Sequence, residues 1–223
     1  MSGKQAAAEA AAGRVEAGMR LGLGTGSTVD HFLVALAARG LDVAGVPTSE
    51  ATATRCRELG IPLLDPGAVD RLDLAVDGAD ELTRELVLTK GGGGALLREK
   101  VVASMADRVL IIATPDKVVE RLAATFPLPV EVVPFAVPFV TRRLTEDLGF
   151  EVELRHRNGT AARTDNGNAL LDCRHPDGID DPAAIDVAIA ILPGVVDTGL
   201  FVDLADEAIL GAGDGTTTSI LRV

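Results

Sequence analysis

The sequence predicts an α/β protein: a doubly wound, mostly parallel, Rossmann-like sheet into which a smaller α+β unit is inserted. Three observations carry this. Short apolar runs alternate with stretches of helical periodicity. The runs at 72–76 and 108–113 are apolar almost throughout, as strands covered on both faces are. The alternation breaks at Phe126-Pro127-Leu128-Pro129, and an apolar strand pattern returns only near Ala208. The 223 residues are 47% hydrophobic yet only 3% aromatic, with no Trp or Tyr, so the material for one large or two modest cores is aliphatic.

Residues 4–17 are Ala-rich and broken by Glu9, Arg14 and Glu16, which suits a helix. Arg20-Leu21-Gly22-Leu23-Gly24 reads as a strand entering a tight turn. Residues 27–39 then set Val29, Phe32, Leu33 and Leu36 at helical spacing before Gly40. A strand at 43–47, a helix over 50–59 closed by Gly60, a short strand at 61–64 and the strand 72–76 follow. Beyond the loop at 90–94, residues 95–105 read as a helix, 108–113 as a buried strand, and Pro115 as the opening of a further helix. The insert reads as a strand at 130–133, a helix over 139–148, a strand at 151–155, a hairpin over 161–172 turning at Asp165-Asn166-Gly167, and a helix over 182–191. Residues 208–211 read as a strand returning to the first sheet, followed by a Gly- and Thr-rich loop. The division expected is 1–127 plus 203–223 for the Rossmann-like domain and 128–202 for the smaller domain.

Lys and Arg total 21 against 33 Asp and Glu, a net charge of −12. Such a field repels nucleic acid and anionic lipid, and neither is an expected partner. A small anion still binds where a few Lys side chains and a helix N-terminus meet. Cys56 and Cys173 form no framework, which fits a reducing, cytoplasmic compartment. The amino-terminal segment lacks the apolar centre of a signal peptide. The longest apolar stretch, 183–196, contains Asp186 and Pro193, so no membrane span is expected.

Gly22-Leu23-Gly24-Thr25-Gly26-Ser27-Thr28 joins a strand to a helix, where N–H groups and the helix dipole favour an anion. It is not a dinucleotide fingerprint, because Ser27 and Val29 stand where glycine is required, and it lacks the P-loop lysine. Taken alone it reads equally well as a turn that needs only small residues. Asp77-Gly78-Ala79-Asp80-Glu81 puts three carboxylates at the carboxyl end of the 72–76 strand, where open α/β sheets bind ligands. Crowded like charges raise at least one pKa, which suits acid–base work; a solvated acidic turn or a divalent-metal site are the other readings. His31, His156 and His175 lie apart without ligand spacing, so no metal is expected. Lys90-Gly91-Gly92-Gly93-Gly94 precedes an apolar helix. That many glycines points to a close backbone approach rather than a linker, with a cation placed for a developing oxyanion. Glu99 falls about one turn into that helix and Lys117 just past the strand at 109–113; by position alone each reads as a surface residue.

Taken together, Gly24-Thr25-Gly26-Ser27-Thr28, Val76-Asp77-Gly78-Ala79-Asp80-Glu81 and Lys90-Gly91-Gly92-Gly93 running to Arg98-Glu99-Lys100 resemble the A-type ribose-5-phosphate isomerases. The resemblance continues through Phe126-Pro127-Leu128-Pro129-Val130-Glu131-Val132, Thr164-Asp165-Asn166-Gly167-Asn168, Pro193-Gly194-Val195-Val196 and Gly199-Leu200-Phe201, in order over nearly the whole chain. Gly94 and Thr48-Ser49-Glu50 are small departures. The resemblance implies interconversion of D-ribose 5-phosphate and D-ribulose 5-phosphate through an enediol, without cofactor, by a homodimer or homotetramer of the pentose phosphate pathway. It implies Glu99 as the base, Lys90 as the oxyanion's cation, Asp77 and Asp80 in ring opening, and Asp80 also as an orienter of Lys90. Thr25, Gly26, Ser27, Thr28, Asp77, Gly78, Ala79, Asp80, Lys90, Gly91, Gly92, Gly93 and Lys117 are the implied substrate contacts. Rival readings are an amino-sugar-phosphate deaminase, a coenzyme A transferase, a nucleotide-binding module, or a non-catalytic sugar-phosphate sensor; retention of Glu99 and Lys90 argues against the last.

Overall fold

The computed structural model describes residues 2–222. Helix α1 (Gly3–Ala12) leads into β1 (Arg20–Leu23), α2 (Ser27–Ala38), β2 (Ala44–Pro47), α3 (Glu50–Glu58), β3 (Leu74–Asp77) and two short strands, β4 (Glu81–Leu82) and β5 (Leu88–Thr89). Helix α4 (Leu96–Ser104) and β6 (Val109–Ala113) follow. The chain then enters a second layer: β7 (Leu128–Val132), α5 (Val137–Leu148), β8 (Glu151–Leu154), β9 (His156–Arg157), β10 (Thr160–Ala161), β11 (Ala169–Arg174), α6 (Pro182–Ala190) and β12 (Val195–Thr198). It returns through β13 (Leu200–Phe201) to β14 (Glu207–Gly211) and β15 (Thr217–Leu221).

The large sheet runs β15-β14-β6-β3-β1-β2, parallel except for β15. Alternate side chains of its strands serve opposite faces. Leu21, Leu23, Leu74, Val76, Leu110, Ile112 and Ile209 join the core that contains α1 and α2, while Ala75, Val109, Ile111, Ala208 and Leu210 join Val102 and Ala103 of α4 on the other. A sheet buried on both faces needs apolar strands, and β3, β6 and β14 are buried at every position. From β1 the chain goes first to β2 on one side and then to β3 on the other. The loops after β1 and β3 therefore part at a topological switch point, which leaves a crevice between them.

Four strands, β12-β7-β11-β8, make an antiparallel second sheet. Its core sets Val130, Val132, Leu171 and Cys173 against Val140 and Leu144 of α5 and Ile189 of α6. Helix starts follow local chemistry: the side chains of Ser2, Ser49 and Asp181 each accept an N–H three residues on, and Gly149 closes α5 in the left-handed region at φ +73°. A three-stranded patch, β13-β5-β4, links the two layers. The carbonyls of Gly3 and Gly211 pass so close that a Cβ on either glycine would lie 2.3 or 2.0 Å from the other's oxygen, which seats α1 on β14.

Several expectations are corrected. Residues 61–64 make only one bridge, Gly45 to Leu63, because Pro62 has no N–H to extend a ladder. Pro115 opens a single 3-10 turn, Pro115–Lys117, not a helix: Val118 bridges Leu82, and the Val119 N–H donates to the Leu82 carbonyl at 2.9 Å. The Asp165-Asn166-Gly167 turn is present, but Ala161 pairs with His156 in a separate hairpin through Asn158-Gly159. The Gly- and Thr-rich tail contains β15, antiparallel to β14.

Candidate active site

The crevice at the carboxyl ends of β1, β3 and β6 is a cleft of about 180 Å³. It is lined by Thr25, Gly26, Ser27, Thr28, Gly78, Ala79, Asp80, Lys90, Gly91, Gly92, Gly93, Glu99 and Lys117, with Lys4, Ala113 and Thr114 besides. Asp77 lies directly behind them. Loops far apart in sequence meet there because their strands are neighbours in the sheet.

Lys90 is the hub. It is 3% exposed, and its Nζ donates to the Gly78 carbonyl at 2.7 Å and lies 3.0 Å from Asp77 Oδ2. Glu99 Oε2 is 3.4 Å away, and the face of the buried Phe201 ring is 5.4 Å from the same nitrogen. The other oxygen of Asp77 accepts the N–H groups of Thr25 (3.1 Å) and Gly78 (2.7 Å). Asp80 does not orient Lys90 by direct contact; its carboxylate accepts the Gly92 N–H at 2.7 Å, while Asp77 and the Gly78 carbonyl hold the ammonium. Burial pushes the Asp80 pKa up, and the Gly92 N–H and the charges of Lys90, Lys117 and Arg155 pull against it.

Glu99 stands in the first turn of α4, 6% exposed, and its Oε2 has no hydrogen-bond partner among the described residues. Burial pushes its pKa up to about 8; Lys90 opposes the rise, and Asp77 and Asp80 add to it. Lys90 stays charged, because the carboxylates facing it outweigh its own desolvation. One buried ammonium thus meets two carboxylates. Asp77, the better bonded, is its ion-pair partner, and burial favours the protonated form of Glu99.

At the other end of the cleft α2 begins at Ser27 without a side-chain cap, leaving first-turn N–H groups free for an anion. Lys4 reaches over from α1, its Nζ 2.8 Å from Ser27 Oγ, and Lys117 lines the same cleft. Thr25 has another use. Its hydroxyl lies 2.7, 2.9 and 3.1 Å from those of Thr48, Ser49 and Thr52, so both its N–H and its hydroxyl are taken within the protein.

Of the three clustered carboxylates, Glu81 turns away from the cleft: it is 2% exposed and accepts from the N–H groups of Ala123 and Phe126 and from the Thr125 hydroxyl. Lys4, Thr52 and Arg155 are neighbours of the cleft that sequence motifs did not mark, while Phe201, Thr48 and Ser49 lie in stretches named above but were given no place at the site. No local signal points to Lys4, one of three polar side chains, with Gln5 and Glu9, on an Ala-rich helix. Among the described residues no group of three or more His, Cys, Asp or Glu side chains is placed to hold a metal ion, and no helix is long and apolar enough to cross a membrane.

An anion corner at one end and a buried acid–base cluster at the other define the class: an enzyme that moves protons on a small phosphorylated substrate. Residues 44–215 match the family described as Ribose 5-phosphate isomerase A (phosphoriboisomerase A). The chain is 52% identical to the ribose-5-phosphate isomerase A of Thermomicrobium roseum, over 95% of this chain and 91% of that one. It is 44% identical to that of Bacillus mycoides, over 96% and 98%. Among solved structures, a D-ribose-5-phosphate isomerase in complex with phospho-erythronic acid superposes with a TM-score of 0.94 at 36% identity, covering 98% of this chain and 97% of that one. Ribose 5-phosphate isomerase A of Methanocaldococcus jannaschii gives 0.92 at 35%, with the same coverage. The chain belongs to the ribose-5-phosphate isomerase A family. It is an aldose–ketose isomerase, interconverting D-ribose 5-phosphate and D-ribulose 5-phosphate.

Proposed function

We propose that Glu99 is the base of the reaction, and that Lys90, Asp77 and Asp80 complete the catalytic set. A single observation carries this: a buried carboxylate whose Oε2 has no hydrogen-bond partner among the described residues, 3.4 Å from a buried ammonium, on the wall of the cleft. Ionised Glu99 takes the proton from carbon 2 of the open-chain aldose. The electrons of that C–H bond form the C1–C2 double bond, and those of the C1 carbonyl move onto its oxygen, opposite the Lys90 charge. The hydroxyl proton on oxygen 2 passes to oxygen 1, and Glu99 returns its proton to carbon 1 as the carbon 2 carbonyl forms. Asp80, its pKa raised by burial, exchanges a proton with the ring oxygen during opening, while Asp77 holds Lys90 in position.

Glu99→Gln preserves shape but cannot accept the proton, so kcat falls roughly 10²–10⁴-fold with KM little changed, and solvent deuterium no longer enters carbon 1 of the ketose. A folded Glu99→Gln protein with near-normal turnover refutes the assignment. The phosphate binds at the first turn of α2 beside Lys4, Ser27, Thr28 and Lys117. Its binding energy positions the reacting carbons, so ribose without phosphate has a far lower kcat/KM; equal values for the two sugars refute that placement.

We further propose a reducing, cytoplasmic setting and a homo-oligomer. Cys56 and Cys173 are unpaired and buried, and burial pushes both thiols above their ordinary pKa, which supports the first. Large apolar side chains left in water, with Phe135 and Ile191 at 96% and 75% exposed, support the second. Sedimentation equilibrium at a monomer mass overturns it.

A further inference from the structure

The glycine run at 91–94 has one hydrogen bond of its own, from the Gly94 N–H to the Gly91 carbonyl at 2.9 Å, which leaves the two residues between free to turn. Gly91 and Gly94 sit at φ +98° and +89°, and such a stretch samples many conformations unless something fastens it. The fastener comes from the smaller sheet. Arg155, just past β8, donates from Nη1 to the Gly91 and Gly92 carbonyls, each at 3.0 Å. The other edge of its guanidinium forks onto Asp172 of β11, Nε to Oδ2 at 2.9 Å and Nη2 to Oδ1. The two side chains are 12% and 22% exposed.

In a trans peptide the carbonyl of one residue and the N–H of the next point in opposite directions. A cation that draws the Gly91 and Gly92 carbonyls to one side therefore turns the Gly92 and Gly93 N–H groups to the other. The Gly92 N–H is found there, bonded to Asp80 at 2.7 Å. Gly93 lines the cleft, and its N–H has no acceptor among the described residues. We propose that Arg155 and Asp172 are positioning residues for the isomerisation. They fix the glycine loop so that the Gly93 N–H is a standing donor to the substrate oxygen that gains charge in the enediolate, and so that Asp80 is held by Gly92. The inference rests on the cleft being the isomerase site.

Arg155→Lys tests it, since one ammonium cannot span two carbonyls and a carboxylate fork together. The expected result is kcat down about 10- to 100-fold, less than removal of a whole oxyanion donor usually costs, with KM for ribose 5-phosphate changed less than about threefold. A four-carbon phosphorylated hydroxamate, whose planar anion stands in for the enediolate, loses affinity by the same factor as kcat/KM, while inorganic phosphate binds as before. Asp172→Asn shows the same split more weakly, and the double variant is less than additive because both act through one loop. Unchanged kcat in folded Arg155→Lys overturns the proposal. So does a loss of hydroxamate affinity no larger than the loss of phosphate affinity, which marks general loosening. Glu99→Gln measured in parallel separates the failures: an inactive Glu99→Gln with an unimpaired Arg155→Lys removes the clamp alone, whereas a fully active Glu99→Gln removes the reading of the cleft and the clamp with it.

Discussion

Lys90 carries one positive charge between two buried carboxylates, and the pH behaviour of the enzyme follows from the protonation of the less well bonded one, Glu99. Asp77 is tied by the Thr25 and Gly78 N–H groups and by Lys90 itself; Glu99 has only a charge 3.4 Å off. With its pKa pushed up to about 8 by burial, Glu99 is largely neutral at pH 6 and becomes a usable base as the pH rises. The expected outcome is a kcat/KM that climbs about tenfold per pH unit below that value and levels above it. A profile flat from pH 6 to 9 contradicts it. Stability runs the other way. A carboxyl whose folded pKa exceeds its unfolded value of 4.5 stabilises fully below 4.5, and the contribution is lost as pH rises through about 8. Glu99→Gln, which cannot ionise, should therefore gain in Tm relative to the parent between pH 5 and pH 9; a constant difference across that range contradicts the shift.

At the scale of elements, the cleft exists because β1 and β3 approach closely where Gly24 faces Asp77. A Cβ on Gly24 would lie 2.2 Å from Asp77 Oδ1 and 2.7 Å from its Cα, and Asp77 cannot retreat without releasing Lys90. Gly24→Ala should lower kcat at least about 10²-fold and cost roughly 1–3 kcal/mol of stability from overpacking, measured by assay and urea unfolding; normal turnover contradicts the role of Asp77. Much of this architecture was legible beforehand. The apolar runs of β3 and β6, the glycine turn before α2 and the Lys-Gly loop each carry a local physical cause that composition displays. What was not legible depends on partners distant in sequence. Pro115 looks like a helix start until Val118 and Val119 pair with Leu82. Thr217–Leu221 resembles a loop until β14 offers it an edge, where β-branched threonines favour a strand. Lys4 and Arg155 reach the site across 23 and 63 or more residues, a distance that no motif encodes.

For the whole molecule, the passage from the large sheet to the smaller one is fastened by Glu81. It sits on β4 and accepts three donors from the segment 123–126, just before β7 begins. Glu81→Ala leaves these donors unmatched in a buried place and should cost about 3 kcal/mol, with faster proteolytic cutting near Thr125; Glu81→Gln, which keeps one acceptor oxygen, should cost less. Equal stability of Glu81→Ala and the parent would remove this carboxylate from the joint. The seating of α1 on β14 through Gly3 and Gly211 sets an order of events during synthesis. The helix leaves the ribosome before any other element described here, while the strand it rests on emerges after the whole smaller sheet. Until β14 is laid beside β6, the helix that carries Lys4 lacks part of its seat, and the phosphate corner stays unfinished however well the remaining strands have paired. A nascent chain arrested before residue 206 should thus expose α1 to protease where a chain extended through β14 protects it, and isomerase activity should appear only once β14 has joined the sheet.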